Sequence, residues 1–148
     1  MYLVSGKSDQ AVQIMREAVN AGVNDPVIYN NLAWQLKAKE PAAALWYANK
    51  AVELAPSAAG VQDTLGQVLI EQKQYEQGLR ALSEAVRLSG GDLRIRLHYI
   101  EALIDARLLA QAKNEIQVVE KMLQKIDSSS SEGLNVIIDK LAELKSKI

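Results

Sequence analysis

The chain has 148 residues, 17 of them basic and 18 acidic, with one histidine and no cysteine. That length suits a single domain burying ~68–70% of its unfolded surface, and a net charge of −1 excludes attachment to nucleic acid or anionic lipid by bulk charge. The lack of cysteine excludes disulfides, thiolate metal sites and a cysteine nucleophile. No apolar run approaches the ~18 residues of a membrane span. The opening MYLVSG has no basic stretch ahead of an apolar one, so no secretory leader is expected. There is no phenylalanine and much alanine, which points to helices packed closely through small residues.

In chain order, the first helical segment is SDQAVQIMREAV (8–19). PVIYNNLAWQLKA (26–38) follows, with apolar Tyr29, Leu32, Ala33 and Leu36 at helical steps. PAAALWYANKAV (41–52) is next. Pro26 and Pro41 suit first helical positions, where the missing N–H costs nothing, and Pro56 stops the helix that ends in AVELA. AGVQDTLGQVLIEQ (59–72) carries Leu65, Val68 and Leu69 on one face and leads into YEQGLRALSEAV (75–86). Asp92 is a good N-cap for LRIRLHYIEALIDA (93–106), whose stripe is Tyr99, Ile100 and Leu103. LAQAKNEIQVVE (109–120) closes the series.

Every second segment repeats the one before it. Ala11, Ala44, Gly78 and Ala112 are spaced by 33, 34 and 34 residues, and so are Ala18, Ala51, Ala85 and Val119. Two registers with one period define a helical-hairpin repeat. The small residues let two helices cross closely, and a large side chain there would overpack the crossing at a cost of ~1–3 kcal/mol. They are structural and carry no chemistry.

A hairpin of this length resembles the tetratricopeptide repeat. Residues 59–92 show Leu65-Gly66-x2-Leu69, then Tyr75, Gly78, Leu82 and Ala85, with Gly90 in place of the closing proline. Residues 26–58 show Tyr29, Leu32-Ala33-x2-Leu36, Ala44, Ala48, Ala51 and Pro56, one residue short in the turn. The third repeat, 93–126, matches through Ala112 and Ile116. The resemblance implies an all-α right-handed superhelical solenoid of antiparallel helix pairs over residues 1–126, with a partial repeat at 1–25. Counting back from Ala11 places Gly6 in a turn, so the chain is expected to be a piece of a longer array that starts inside a repeat.

At the other end, DSSSSEG (127–133) breaks the pattern. Residues 127–131 read as a serine-rich linker and 132–148 as a capping helix, with a capping box at Ser129 and Glu132. Its apolar stripe is Leu134, Ile137, Ile138, Leu141, Leu144 and Ile148, and Glu143 and Lys147 form an i,i+4 pair.

A search for chemistry returns little. His98 and Glu101, with Asp105 as a third group, share a helical face, but neither a metal site nor acid–base use is expected of them. Ser89-Gly90-Gly91 matches no phosphate loop. No enzyme activity, cofactor or metal is expected.

The family resemblance implies a concave groove lined by the first helix of each repeat. The positions that usually face it supply Asn30, Asn31, Trp34 and Lys37 from the first full repeat. The second supplies Asp63, Thr64, Gln67, Ile70 and Glu71. The third supplies Arg94, Leu97, His98, Glu101, Ile104 and Asp105. Trp34 is the natural anchor, although it could instead pack against the next repeat. Family members that clamp chaperone tails use Lys and Asn, then Asn, then Lys and Arg. This chain offers Asn30 and Trp34, then Thr64, then Arg94 and His98, so that ligand is not expected.

A narrower resemblance rests on Asn30–Trp34 (NNLAW), Asp63–Gly66 (DTLG) and His98–Ile100 (HYI). These strings are similar to the closing repeats of bacterial tetratricopeptide lipoproteins of PEP-CTERM/exosortase and exopolysaccharide systems. Gln67 departs from a usual Trp, and Tyr99-Ile100 from Leu-Ala. That resemblance implies an envelope protein assisting assembly, export or sorting, lipid-anchored in its full length, with the cytoplasm as the alternative compartment. The expected function is non-catalytic binding of a protein or peptide in the groove. The alternatives are a pilus or secretion assembly factor, or a structural module that self-associates through its exposed ends, with Ile138 involved.

Overall fold

The computed structural model describes the backbone of residues 2–126 and 131–148, and side chains over 7–126 and 133–148. Among the described residues every regular element is a helix: α1 (Tyr2–Asn20), α2 (Pro26–Leu36), α3 (Pro41–Leu54), α4 (Ala59–Glu71), α5 (Tyr75–Leu88), α6 (Leu93–Asp105), α7 (Leu109–Leu123) and α8 (Ser131–Lys145). The serine-rich break at 127–130 and the capping box at Ser129 and Glu132 lie outside the described residues.

Local chemistry sets the boundaries. Asp25 caps α2 by accepting from the Val27 and Ile28 amides, and Pro26 and Pro41 open α2 and α3 at their first turns. The turns after α4 and α6 share one stop. Lys73 and Arg107 take the left-handed conformation, and the next amide, of Gln74 or Leu108, reaches back to the carbonyl of Leu69 or Leu103. The hairpin α2–α3 is one residue short and closes differently: the Lys39 and Glu40 amides both donate to the Leu36 carbonyl. One expectation is corrected. Gly6 makes no turn, because α1 is one helix from Tyr2 to Asn20; a glycine preceded and followed by helix-compatible residues weakens a helix without ending it.

Asp92 accepts from the Arg94 backbone amide at the start of α6, 2.8 Å away. The Arg94 guanidinium, 3.0 Å away, and the Arg94 and Ile95 amides hold its carboxyl below the usual range. Its contribution is therefore present above about pH 4 and lost as pH falls through the lower folded value. Asp92→Ala is expected to cost ~1 kcal/mol at neutral pH. The wild-type and variant acid-unfolding curves should converge in strong acid, and a constant gap at all pH values would contradict this assignment.

The helices pair as α2 with α3, α4 with α5, and α6 with α7. First helices stack on one another: α4 on α2, α6 on α4, and α8 on α6. The terminal helix thus takes the place of a fourth first helix. Its register repeats theirs. α4 turns Val61, Leu65 and Val68 toward the preceding hairpin, and α8 turns Ile137, Leu141 and Leu144 toward α6 and α7. Both sets have the same 4,3 spacing. Ile138, expected in the buried stripe, is 45% exposed, because that stripe faces a single neighbouring hairpin and is one residue narrower than an all-apolar reading suggests.

The hairpins close through the small residues. Ala44, Ala51, Ala85 and Ala112 have no exposed surface. The tightest crossing is α4 over α5. A Cβ placed on Gly66 would stand 2.5 Å from Leu82 Cγ and 3.0 Å from the Gly78 carbonyl.

Candidate functional site

The stacked first helices form the wall of a groove of about 840 Å³. α2 supplies Trp34 and, at its C-cap, Lys37, α4 supplies Asp63 and Gln67, α6 supplies His98 and Glu101, and α8 supplies Val136 and Lys140. Trp34 is 42% exposed and opens onto this groove. Its ring is covered on one face by the Lys37 ammonium, 3.5 Å from the ring centroid. The indole is therefore held in place without being buried.

Below Trp34 a polar ladder crosses three helices. Lys37 Nζ donates to Gln67 Oε1 at 3.4 Å, and Gln67 Nε2 donates to Asp63 Oδ2 at 2.9 Å. His98 Nδ1 lies 3.0 and 2.9 Å from the two Asp63 carboxylate oxygens. A carboxylate only accepts, so this geometry assigns a proton to Nδ1. The Gln67 amide nitrogen also lies 3.0 Å from Nδ1, but a protonated Nδ1 cannot accept, so its hydrogen bond goes to Asp63. Beyond His98, the Lys140 ammonium of α8 donates to Glu101 at 3.0 Å.

Burial pushes the Lys37 ammonium down from its ordinary value, against the pull of the Glu71, Asp63 and Glu101 carboxylates. Asp63 is buried although ionisable. A buried charge needs partners, and Gln67 and His98 supply them. Ion pair and ladder together tie α2, α4, α6 and α8 to one another along the groove.

The structure sorts the residues expected to face the groove. Trp34, Lys37, Asp63, Gln67, Arg94, His98 and Glu101 line it. Arg94 does so at the rim, with its guanidinium on Asp92. Glu71 and Asp105 line an adjoining compartment of about 250 Å³. Ile70 reaches that compartment too, but its side chain packs onto Gly78 of α5, so it closes a hairpin and does not project toward a ligand. Leu97 and Ile104 are 4% and 8% exposed and join the α6–α8 core. Leu97 serves as floor and Ile104 stands outside the lining, because α8 covers the face that a bare third repeat would leave open. Thr64 is buried, with its hydroxyl donating to the Gly60 carbonyl. Asn31 is exposed but, like half-buried Asn30, stands outside the lining.

His98 and Glu101 do not converge. One turns to Asp63 and the other to Lys140. Among the described residues no three metal-ligating side chains cluster, and no helix is long and apolar enough to cross a membrane. The sequence reading missed Val136 and Lys140. Their signal was present: the 4,3 spacing of Ile137, Leu141 and Leu144 matches the first helices and sets Val136 and Lys140 on the groove side.

Hairpins stacked with first helices inward and second helices outward define the class: a helical-repeat solenoid with a concave face. Two family models match. One, ChAPs (Chs5p-Arf1p-binding proteins), matches residues 1–87, and the other, tetratricopeptide repeat, matches residues 69–128. The ChAPs model covers more than half of the chain, so the chain belongs to that family, and its residues 69–128 match the tetratricopeptide repeat. No curated protein matches the sequence. Among solved structures, the chain is similar to the crystal structure of MamA protein, with 17% identity and a TM-score of 0.72 over 88% of this chain and 71% of that one. It is also similar to the MamA RS-1 ArsTM double mutant, with 18% identity and a TM-score of 0.68 over 97% and 88% of the two chains. At these identities the likeness shows the fold.

Proposed function

We propose that this chain is a non-catalytic scaffold that holds a segment of a partner protein in its concave groove. The observation that carries this reading is Trp34, an exposed tryptophan clamped by Lys37 at the head of an 840 Å³ groove. Holding a large aromatic ring rigid and open lowers the ordering cost of binding. Such side chains dominate interface energies. The ladder of Gln67, Asp63, His98 and Glu101 offers both donors and acceptors to a peptide backbone.

For context, we place the protein in bacterial envelope assembly, export or sorting, within a longer lipid-anchored array. The support is the similarity of Asn30–Trp34, Asp63–Gly66 and His98–Ile100 to the repeats of PEP-CTERM/exosortase-system lipoproteins. A pilus or secretion assembly factor would use the same groove.

The test starts from capture with wild type and with Trp34→Ala as parallel baits, followed by titration of the purified partner segment. Trp46 sits in an aromatic cluster with Tyr29 and Tyr47 on α2 and α3, so a Trp46→Phe background leaves Trp34 as the sole indole. Its emission should shift on binding. Trp34→Ala should weaken binding by ~2 kcal/mol or more, roughly 30-fold, with helicity unchanged. Equal affinity for both proteins would remove Trp34, and with it this reading of the groove.

A further inference from the structure

Two large apolar side chains stay in solvent on different walls of one groove. Trp34 of α2 is 42% exposed and Val136 of α8 is 69% exposed. α4 and α6 stack between their helices, and both side chains open onto the same 840 Å³ space. The packing of α8 sets the direction of Val136. Its neighbour Ile137 is buried against the last hairpin, and successive side chains on a helix point about 100° apart. Val136 shares its repeat position with Gly60 on α4 and Arg94 on α6, which also line the groove. The hold of α8 on the hairpin comes from Ile137, Leu141 and Leu144, so packing does not account for a valine at this position.

The charges between the two walls are already matched. The groove holds three cations, Lys37, Arg94 and Lys140, and three carboxylates, Asp63, Asp92 and Glu101. Arg94 sits on Asp92 and Lys140 on Glu101, each at 3.0 Å. Lys37 covers Trp34 and reaches Asp63 through Gln67, and His98 is spent on Asp63. Glu71 and Asp105 stand outside this space, where they share a compartment with Lys73, Arg107 and Lys147. A charged side chain entering the groove would meet only groups that already have partners. It would lose water without gaining a counter-charge, or it would break an existing pair, and both are costly. A peptide backbone has no such difficulty, because carboxylate and amide oxygens keep spare lone pairs. An apolar side chain gains by leaving water against Trp34 and Val136.

We propose that the groove selects an uncharged, apolar stretch of its partner, with one aromatic or large aliphatic side chain against Trp34 and a second against Val136. This rests on the groove reading above and names what the groove takes. A space of this size holds a few side chains, so the stretch is short. Val136 makes α8 a specificity element, and the matched charges work against lysine, arginine, aspartate and glutamate alike.

The test is selection from a display library of random-sequence peptides on the full chain. Recovered peptides are synthesised and titrated into the Trp46→Phe background, where Trp34 emission reports occupancy. Those that no longer bind Trp34→Ala are groove ligands. They should share an uncharged core with two apolar residues, and Lys or Glu placed in that core should each weaken binding at least ~10-fold. Val136→Asp, at an exposed position, should weaken the parent peptide at least ~10-fold with helicity unchanged by circular dichroism. Lys140→Met leaves Glu101 without its cation, and it should regain affinity for a Lys-bearing peptide but not for its Glu-bearing counterpart. Groove ligands that require a charge of one sign in their core would overturn this inference and leave the groove reading standing. So would an unaltered affinity in Val136→Asp, or a Lys140→Met protein that treats the two charged peptides alike. A library that yields no peptide dependent on Trp34 would overturn the groove reading and this inference together.

Discussion

Leu144→Ala is expected to lower the melting temperature by roughly 5–15 °C, because it removes a side chain with no exposed surface from the contact between α8 and the last hairpin. Truncating a buried leucine costs ~2–5 kcal/mol, and for a chain of this size each kcal/mol moves Tm by ~2–4 °C. The loss should be local before it is global. α8 stacks on α6 and is held there by Ile137, Leu141 and Leu144 and by the Lys140–Glu101 and Lys145–Glu120 ion pairs. The ion pairs are half-exposed and contribute little each, so the three apolar side chains do most of the holding. Amide exchange in α8 should accelerate in Leu144→Ala at temperatures where α2 to α5 remain protected. Equal acceleration throughout would show that the terminal helix is an inseparable part of one cooperative unit. Loss of α8 would also remove Val136 and Lys140 from the groove, so partner affinity should fall with it.

Gly66→Val and Gly60→Ala are expected to act with opposite sign although both lie in α4. Gly60 has no atom within 4 Å of an added Cβ. Alanine there gains helix propensity and restricts the unfolded chain, for a stabilisation of up to ~1 kcal/mol. At Gly66 an added Cβ meets Leu82 Cγ at 2.5 Å and the Gly78 carbonyl at 3.0 Å. Leu82 has no exposed surface and nowhere to move, and the carbonyl belongs to the helix across the crossing. Overpacking of ~1–3 kcal/mol or more should lower Tm by roughly 2–12 °C. Thermal unfolding of both variants decides the matter. A neutral Gly66→Val would mean that α4 and α5 can separate, against the close approach of Gly66 and Gly78.

The groove was legible in part. Trp34 and Lys37 could be placed on its wall by repeat position, and so could Gln67, His98 and Glu101. The pairing of His98 with Asp63 could not, because the two lie 35 residues apart on different helices and nothing in either segment names the other. Nor could the roles of Ile70 and Leu97. Both are apolar residues at groove positions, and only the packing of Ile70 on Gly78 and of α8 over Leu97 turns them inward.

By itself the amino-acid sequence determined the helices, their order and the hairpin repeat. Those follow from short-range rules: apolar spacing, proline at helix starts, and small residues where backbones cross, each repeated at a fixed interval. Tertiary structure alone decided two things. It left Ile138 in solvent and made α8 the last wall of the groove as well as a cap. The physical reason is common to both. Periodicity states that a helix has an apolar face, but the neighbour that covers it is set by how the hairpins stack.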